Sequence, residues 1–301
     1  MERRRDRCFF QVLYPRQGMA DVREAVEVHA ARPTLEGAGV RLRRAFGFAE
    51  VPRFDPFLML DDFRGERPED YLVGFPSHPH RGMETVTYML EGKVEHADSM
   101  GNAGTVGPGA VQWMTAGSGV VHQEMPKPID GRMGGFQLWL NLPAARKMMD
   151  PRYQEIASEM IPMVRGDGAE VRVIAGEHGG VRGPVREIVA EPTYLDVTLE
   201  GGRTFEHPTD RSTTAFAYVF AGIATFGMEG SAVGNTSVVR LGHGDRIQVK
   251  AGADGARFLL VTGRPIGEPV AWRGPIVMNT NEELAEAFDE LRAGTFVKRR
   301  G

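Results

Sequence analysis

Two short residue pairs in the first half of the chain have the types and spacing to do chemistry: His78 with His80, and His122 with Glu124. In a β-strand, side chains two residues apart point to the same face of the sheet. If both pairs lie on strands that come together, three imidazoles and one carboxylate converge. That set suits a divalent transition metal such as iron, manganese, nickel, copper or zinc.

The alternative is that the pairing is a coincidence, because two histidines two residues apart are common on a solvated strand face. The second pair lies about forty residues further on, between apolar runs and Gly/Pro turns. Ligand type and spacing together favour a metal site over a chance pairing.

The surrounding sequence must supply the strands that position these ligands. Pro76 and Pro79 cannot donate ladder hydrogen bonds, so the first histidine pair is expected at an edge or at the mouth of a sheet. Short β-forming runs separated by Gly/Pro turns indicate an antiparallel barrel or sandwich. His96 falls on one such run and is expected at the surface. Asp61 and Asp62 close an apolar run and are expected to cap a turn rather than bind metal.

The second half of the chain repeats patterns of the first half. The run from Tyr88 to Gly92 resembles the run from Tyr218 to Gly222, which indicates two copies of one β-domain. The aligned second copy lacks the ligand residues, and His207 and His243 stand isolated in it. We therefore predict one metal per chain, in the N-terminal copy.

A helix is predicted near the C-terminus, from Asn281 to Leu291, with Asn279 or Thr280 as its N-cap and Gly294 as its stop. With this helix included, the chain divides into four predicted segments. We expect a disordered leader at 1–18, a metal-binding domain at 19–142, a linker at 143–165, and a second domain without a metal site, plus the helix, at 166–301.

Composition limits the classes of partner and the compartment. The formal net charge of −4 gives no general attraction to nucleic acid or to acidic membranes. Cys8 is the single cysteine, so an internal disulfide and a cysteine-based zinc site are excluded. This fits a reducing cytoplasm. No apolar run has the length needed to span a bilayer.

Longer runs around the ligand pairs carry a family resemblance. The runs 75–82, 112–117 and 121–126, with flanking runs at 55–60 and 137–143, resemble pirin, a two-domain member of the cupin superfamily. The resemblance covers roughly Val26 to Phe296. It implies an all-β fold of two stacked antiparallel barrels of the cupin or jelly-roll type, with one iron in the N-terminal barrel.

By this resemblance the metal ligands are His78, His80, His122 and Glu124. The general cupin pattern instead takes its carboxylate from a position shortly after the first histidine pair, where Glu84 stands. We follow the pirin pattern and expect Glu84 to be a second-sphere or strand residue.

The resemblance also implies a function. Some pirins are similar to flavonol (quercetin) 2,3-dioxygenases, which act on a flavonol and dioxygen at an Fe(II) centre. Glu124 would then serve both as ligand and as general base. An alternative is an iron-dependent redox-sensing regulator that binds a transcription factor or a metabolic enzyme without turnover. A third possibility is a structural barrel that holds zinc.

Overall fold

The computed structural model describes residues 21–65 and 67–298, so the leader expected at 1–18 lies outside the described residues. The regular structure is mostly strand, as the turn pattern predicts. The strands in chain order are β1 (Ala25–Ala30), β2 (Arg32–Glu36), β3 (Val40–Phe46), β4 (Phe57–Asp62), β5 (Phe75–His80), β6 (Met83–Glu91), β7 (Lys93–Asp98), β8 (Ala103–Val106), β9 (Val111–Thr115), β10 (Val120–Lys127), β11 (Gly134–Asn141), β12 (Arg152–Ile156), β13 (Met163–Gly166), β14 (Ala169–Ala175), β15 (Glu177–His178), β16 (Val181–Arg182), β17 (Thr193–Leu199), β18 (Thr204–Pro208), β19 (Thr214–Phe226), β20 (Ala232–Gly234), β21 (Ser237–Leu241), β22 (Arg246–Gly263), β23 (Ala271–Arg273) and β24 (Ile276–Met278).

Three main sheets and two short ribbons contain these strands. One half of the molecule has a seven-stranded sheet in the order β12-β9-β6-β11-β4-β3-β2, and a four-stranded sheet in the order β5-β10-β7-β8. The other half has a nine-stranded sheet, with β1-β21-β19-β22-β17-β14-β13 as its main path. The mostly-β expectation is confirmed. Among the described strands the sheets are open, whereas the resemblance implied closed barrels.

Strand β6 shows how the sequence divides the interior into two regions. Its alternate residues Val86 and Tyr88 pack into an apolar core that contains residues of both halves. Thr85 and Thr87 point to the opposite face, because successive strand residues alternate. One strand therefore separates the core between the halves from the interior of the first half.

The core between the halves is largely aromatic. The rings of Phe46 and Phe54 stack with their centroids 4.1 Å apart, and Phe216 from the second half meets both of them edge-on. Edge-to-face and offset stacked arrangements stabilise such pairs beyond the burial of their area. The two halves thus share one continuous packed core.

The two ends of the chain cross between the halves. Strand β1 pairs with β21 at the edge of the nine-stranded sheet, although the rest of the first half lies elsewhere. At the other end, residues 271–297, here called the C-terminal strap, return to the first half. The Val277 amide donates to the carbonyl of Arg81, next to the first histidine pair.

The strap contains the predicted C-terminal helix, α3 (Asn281–Ala293). Thr280 is its N-cap: its hydroxyl accepts from the Glu283 amide, and the Glu283 carboxylate accepts from the Thr280 amide. Gly294 ends the helix with φ 72°, a left-handed conformation that glycine adopts without steric cost. The helix prediction is therefore confirmed.

The segment 143–165 contains regular structure of its own. Strand β12 pairs with β9 at an edge of the seven-stranded sheet. The short helix α2 (Ala144–Lys147) also lies in this segment. Another short helix, α1 (Pro68–Tyr71), belongs to the first half. Within the described residues, every helix is too short or too polar to cross a membrane.

Candidate metal centre

Strands β5 and β10 bring the two ligand pairs together. His78 lies directly opposite His122 in the antiparallel ladder, and His80 lies opposite Val120. β5 forms an edge of its sheet, as its two prolines predict. The register shifts by a bulge between His122 and Glu124, a local distortion that re-aims the side chains on either side of it.

The turn after β5 requires a glycine. Gly82 has φ +75°, and a Cβ atom added there would lie 1.9 Å from the carbonyl oxygen of Val277 in the strap. No side chain fits at that distance. The close approach of the strap thus fixes where β5 ends and where His80 stands.

The three histidines form one compact cluster. Their ligand nitrogens lie within 4.8 Å of one another, and the Nε2 atoms of His78 and His122 are 3.0 Å apart. The Nδ1 atom of His78 lies 2.8 Å from the carbonyl oxygen of Pro76. A carbonyl can only accept, so Nδ1 carries the proton and Nε2 keeps its lone pair for the cluster.

Burial favours the neutral form of His80 and His122, which is the form that binds a metal. Desolvation, with His78 as neighbour, lowers the pKa of His122 to about 4, even though the Glu124 carboxylate opposes the shift. The pKa of His80 lies well below its usual value, first because of burial and then because of the two other imidazoles.

The arrangement fits a metal ion. Two ligand nitrogens at right angles, each about 2.1 Å from a metal, are about 3.0 Å apart, which is the separation of the His78 and His122 Nε2 atoms. The buried Nδ1 atoms of His80 and His122 have no hydrogen-bond partner among the described residues. Imidazole nitrogens are ligands that suit zinc, copper, iron and nickel.

Glu124 stands beside the histidine cluster. One of its carboxylate oxygens is 4.0 Å from His122 Nε2 and accepts a hydrogen bond of 3.0 Å from the Gln137 amide. The other oxygen accepts from the Thr87 hydroxyl at 3.1 Å. The carboxylate is buried, and two donors from two strands hold it in place.

Glu84 lies on the other face of β6 from Thr87, three residues away. Its carboxylate accepts a hydrogen bond of 2.6 Å from the Thr115 hydroxyl, and burial raises its pKa. Thr87, which donates to Glu124, and Glu84 therefore point to opposite faces of β6. The structure places Glu84 as a buried strand residue.

Two expectations about other histidines were wrong. His96 is buried rather than at the surface, and its Nε2 lies 2.6 Å from a Glu155 carboxylate oxygen. The signal was present in the sequence, because Val94 is two residues away and shares its buried face. His207 is not isolated: its Nδ1 is 3.1 Å from that of His178. The local sequence pattern does not predict contacts between strands that are separated in the chain.

A cavity of about 590 Å³ opens on His78 and His80. Its wall is rich in aromatic side chains, and Trp272 comes from the C-terminal strap. The Trp139 ring meets His80 edge-on at 5.2 Å, and the centroid of Trp272 is 6.0 Å from that of Trp139. The polar part of the wall holds Arg44, paired with Asp61 and Glu36. Sequence reasoning missed Trp272 because only the fold returns residue 272 to the first half. The aromatic residues of the wall are Phe48, Phe75, Trp139 and Trp272.

Comparison with known proteins agrees with this architecture. The family model "Pirin" matches residues 39–140, and "Pirin C-terminal cupin domain" matches residues 194–297. A pirin-like protein of Caulobacter vibrioides is 49% identical over 277 residues, covering 91% of this chain and 99% of the relative. Human pirin is 42% identical over 267 residues, covering 87% and 90%.

Among solved structures, a quercetin 2,3-dioxygenase from Acinetobacter baumannii superposes with a TM-score of 0.83 at 31% sequence identity. The match covers 91% of this chain and 98% of that one. Both halves are matched by family models, and the relatives are matched over nearly their full length. The chain therefore belongs to the pirin family and is built from cupin-type domains.

Proposed function

We propose that His78, His80, His122 and Glu124 hold one divalent metal ion, Fe(II), and that the centre supports a quercetin 2,3-dioxygenase type of reaction. The observation that carries the proposal is the cluster of three imidazoles, whose ligand nitrogens lie within 4.8 Å of one another beside an aromatic-walled cavity. The similarity to the A. baumannii dioxygenase supports the choice of reaction. Manganese, nickel, copper and zinc suit the same ligand set.

Each protein group has a distinct task in this proposal. A metal ion held by these residues would supply Lewis acidity toward a substrate oxygen and chemistry with dioxygen. Glu124 accepts the proton of the substrate hydroxyl, since its carboxylate lies beside the cluster, 4.0 Å from His122 Nε2. Thr87 and Gln137 hold that carboxylate by one hydrogen bond to each oxygen.

The cavity wall selects a flat, largely apolar substrate. The Trp139 and Trp272 rings offer stacking surfaces, and a volume of about 590 Å³ lies within the usual range for a small-molecule site. Arg44 is already neutralised, because its guanidinium forms two hydrogen bonds of 2.8 Å to Asp61 and a further contact of 2.8 Å to Glu36. An uncharged polyphenol such as a flavonol fits this wall better than a carboxylic acid does.

The domain division and the cytoplasmic location remain parts of the proposal. We place the metal domain at 19–142 and the metal-free domain at 166–301, with β1 and the C-terminal strap exchanged between the halves. Two stacked cupin barrels, opened at their edges, would account for the sheet order. The single cysteine supports a reducing cytoplasm.

The test is metal analysis followed by oxygen uptake. Protein purified without added metal should contain about one iron per chain and consume dioxygen when quercetin is added. The matched control is His207→Ala, which removes a histidine of the second half and should change neither result. Iron without uptake would refute the enzyme and favour the redox-sensing regulator. Zinc without uptake would favour a structural barrel.

A further inference from the structure

A second cavity, of about 740 Å³, lies between the two halves of the molecule and away from the histidine cluster. Its lining combines β3 and β6 of the first half with β14, β19 and β22 of the second half. Domain interfaces are frequent places for small-molecule sites, and this volume is ample for one. Its most distinctive residues are five arginines: Arg43, Arg64, Arg132, Arg172 and Arg257.

A buried carboxylate fixes the guanidinium of Arg64. The two oxygens of Asp62 accept from Arg64 Nε at 2.8 Å and Nη2 at 2.6 Å. Asp62 also accepts a hydrogen bond of 2.8 Å from the hydroxyl of Tyr218, which comes from the other half. The planar fork of arginine is rigid when both of its arms are bound in this way.

The second half has a matching arrangement. The two oxygens of Asp196 accept from Arg257 Nε at 3.0 Å and Nη2 at 2.6 Å. The hydroxyl of Tyr88, from the first half, donates to the same carboxylate at 2.6 Å. Tyr88 and Tyr218 are the residues that the internal repeat pairs with each other. Each tyrosine therefore crosses to the opposite half, and the two clusters are related by the repeat.

Both fixed arginines face one aromatic ring. The guanidinium carbons of Arg64 and Arg257 lie 5.4 Å and 5.0 Å from the centroid of the Phe220 ring. Arg64 Nη1 also donates to the Phe220 carbonyl at 2.7 Å. Each guanidinium keeps its carboxylate partner, so the Phe220 ring lies between two fixed ion pairs in the cleft.

The cleft has a net positive charge, although the net charge of the whole chain is negative. Asp62, Asp196 and Glu91 supply three carboxylates for five guanidiniums, and so two positive charges are unbalanced. Arg43 forms no ion pair in the described part of the chain. Arg172 donates to the Gly109 carbonyl and to Ser158, which are neutral groups.

We propose that this cleft binds a phosphate-bearing small molecule, with the phosphate among the arginines and the organic body against Phe220 and Tyr88. Arg43 and Arg172, which pair with no carboxylate in the described part of the chain, can donate to phosphate oxygens, and a phosphate dianion equals the unbalanced charge. The volume exceeds what a free phosphate ion needs, which favours a phosphate ester. This site is independent of the metal centre and of the reaction proposed there.

The test is calorimetric titration of the full-length protein with inorganic pyrophosphate at low ionic strength. We expect one site per chain, with an affinity that falls as salt is added. Arg43→Gln should weaken binding about tenfold, because it removes one charge-assisted contact. Arg43 is exposed and has no ion pair, so this variant should keep its fold, and its melting temperature checks that.

Two controls make the result specific. Arg182→Gln removes an equally exposed arginine outside the cleft and should bind like the parent protein. The double variant His78→Ala/His122→Ala should also bind like the parent, which excludes pyrophosphate held by the metal. Absence of saturable binding, or unchanged binding by Arg43→Gln, would overturn the proposal. Tighter binding of succinate than of pyrophosphate would overturn the assignment to phosphate.

Discussion

Replacement of Glu124 by glutamine keeps the shape of the side chain and removes its charge. The amide of the variant must also place its NH₂ group against the Thr87 hydroxyl or the Gln137 amide, which each donate to one carboxylate oxygen in the parent protein. The variant therefore loses the ligand charge, and its NH₂ group is paired only if the Thr87 hydroxyl turns to accept from it. Both effects act on the metal centre and leave the apolar core untouched.

The magnitude follows from the distance of the carboxylate to the cluster. Its oxygen is 4.0 Å from His122 Nε2. If a cation at the cluster is taken to lie about 4 Å from the carboxylate, two unit charges interact by about 4 kcal/mol at an effective dielectric constant of about 20. Since about 1.4 kcal/mol corresponds to a factor of ten, we expect metal affinity to fall by roughly 10³-fold in Glu124→Gln.

The matched control is Glu84→Gln. Glu84 is also a buried glutamate that accepts from a threonine hydroxyl, but it lies on the opposite face of β6. We expect its affinity for the metal to stay within a few-fold of the parent value, since its contacts do not include the cluster. The control separates loss of a ligand from the general cost of altering a buried carboxyl.

The assay is competition of each protein with a chelator of known affinity, alongside elemental analysis of the purified proteins. A metal-free Glu84→Gln protein together with a fully loaded Glu124→Gln protein would refute the reasoning. Comparable losses in both variants would also refute it, because the two faces of β6 would then not differ in their effect.

Three further predictions concern Thr87, Trp272 and Lys147. Thr87→Val should lower metal affinity about 10–100-fold through loss of one hydrogen bond to Glu124, as chelator competition would show, with Thr85→Val as control. Trp272→Ala should raise the KM for quercetin and leave kcat within a few-fold in steady-state oxygen uptake; an unchanged KM would contradict a role of the strap in the cavity wall. Burial lowers the pKa of Lys147 to about 7 against 10.5 when exposed, so the unfolded chain holds more protons between these values. The free energy of unfolding of the parent, relative to Lys147→Met in urea titrations, should therefore rise from pH 7 to pH 10; a flat difference would contradict this.

The ligand pairs could be found from the sequence because the period of a strand is two residues. His78 with His80, and His122 with Glu124, needed no knowledge of distant contacts to be placed on common faces. Pro76 and Pro79 similarly predicted an edge strand, and α3 carried its own capping residues. Rules of this kind depend only on residues that are close together in the chain, so they can be applied to the sequence alone.

The remaining features depend on which strands meet, and local patterns do not contain that information. The alternation in β7 placed His96 on the face of the apolar Val94, but its partner Glu155 comes from a segment about sixty residues further along the chain. His178 meets His207 because two strands far apart in the chain end together. The crossing of Tyr88 and Tyr218 between halves, and the return of Trp272 to the cavity, likewise require the complete fold.

The proposed function depends on one metal ion at the histidine cluster of the first half. Anomalous diffraction from crystals of the protein, measured on both sides of the absorption edge of the metal that elemental analysis finds, locates that ion directly. The account predicts one strong anomalous peak per chain, bonded to His78, His80, His122 and Glu124. A peak at the His178 and His207 pair, or a peak at the cluster without a bond to Glu124, would contradict it.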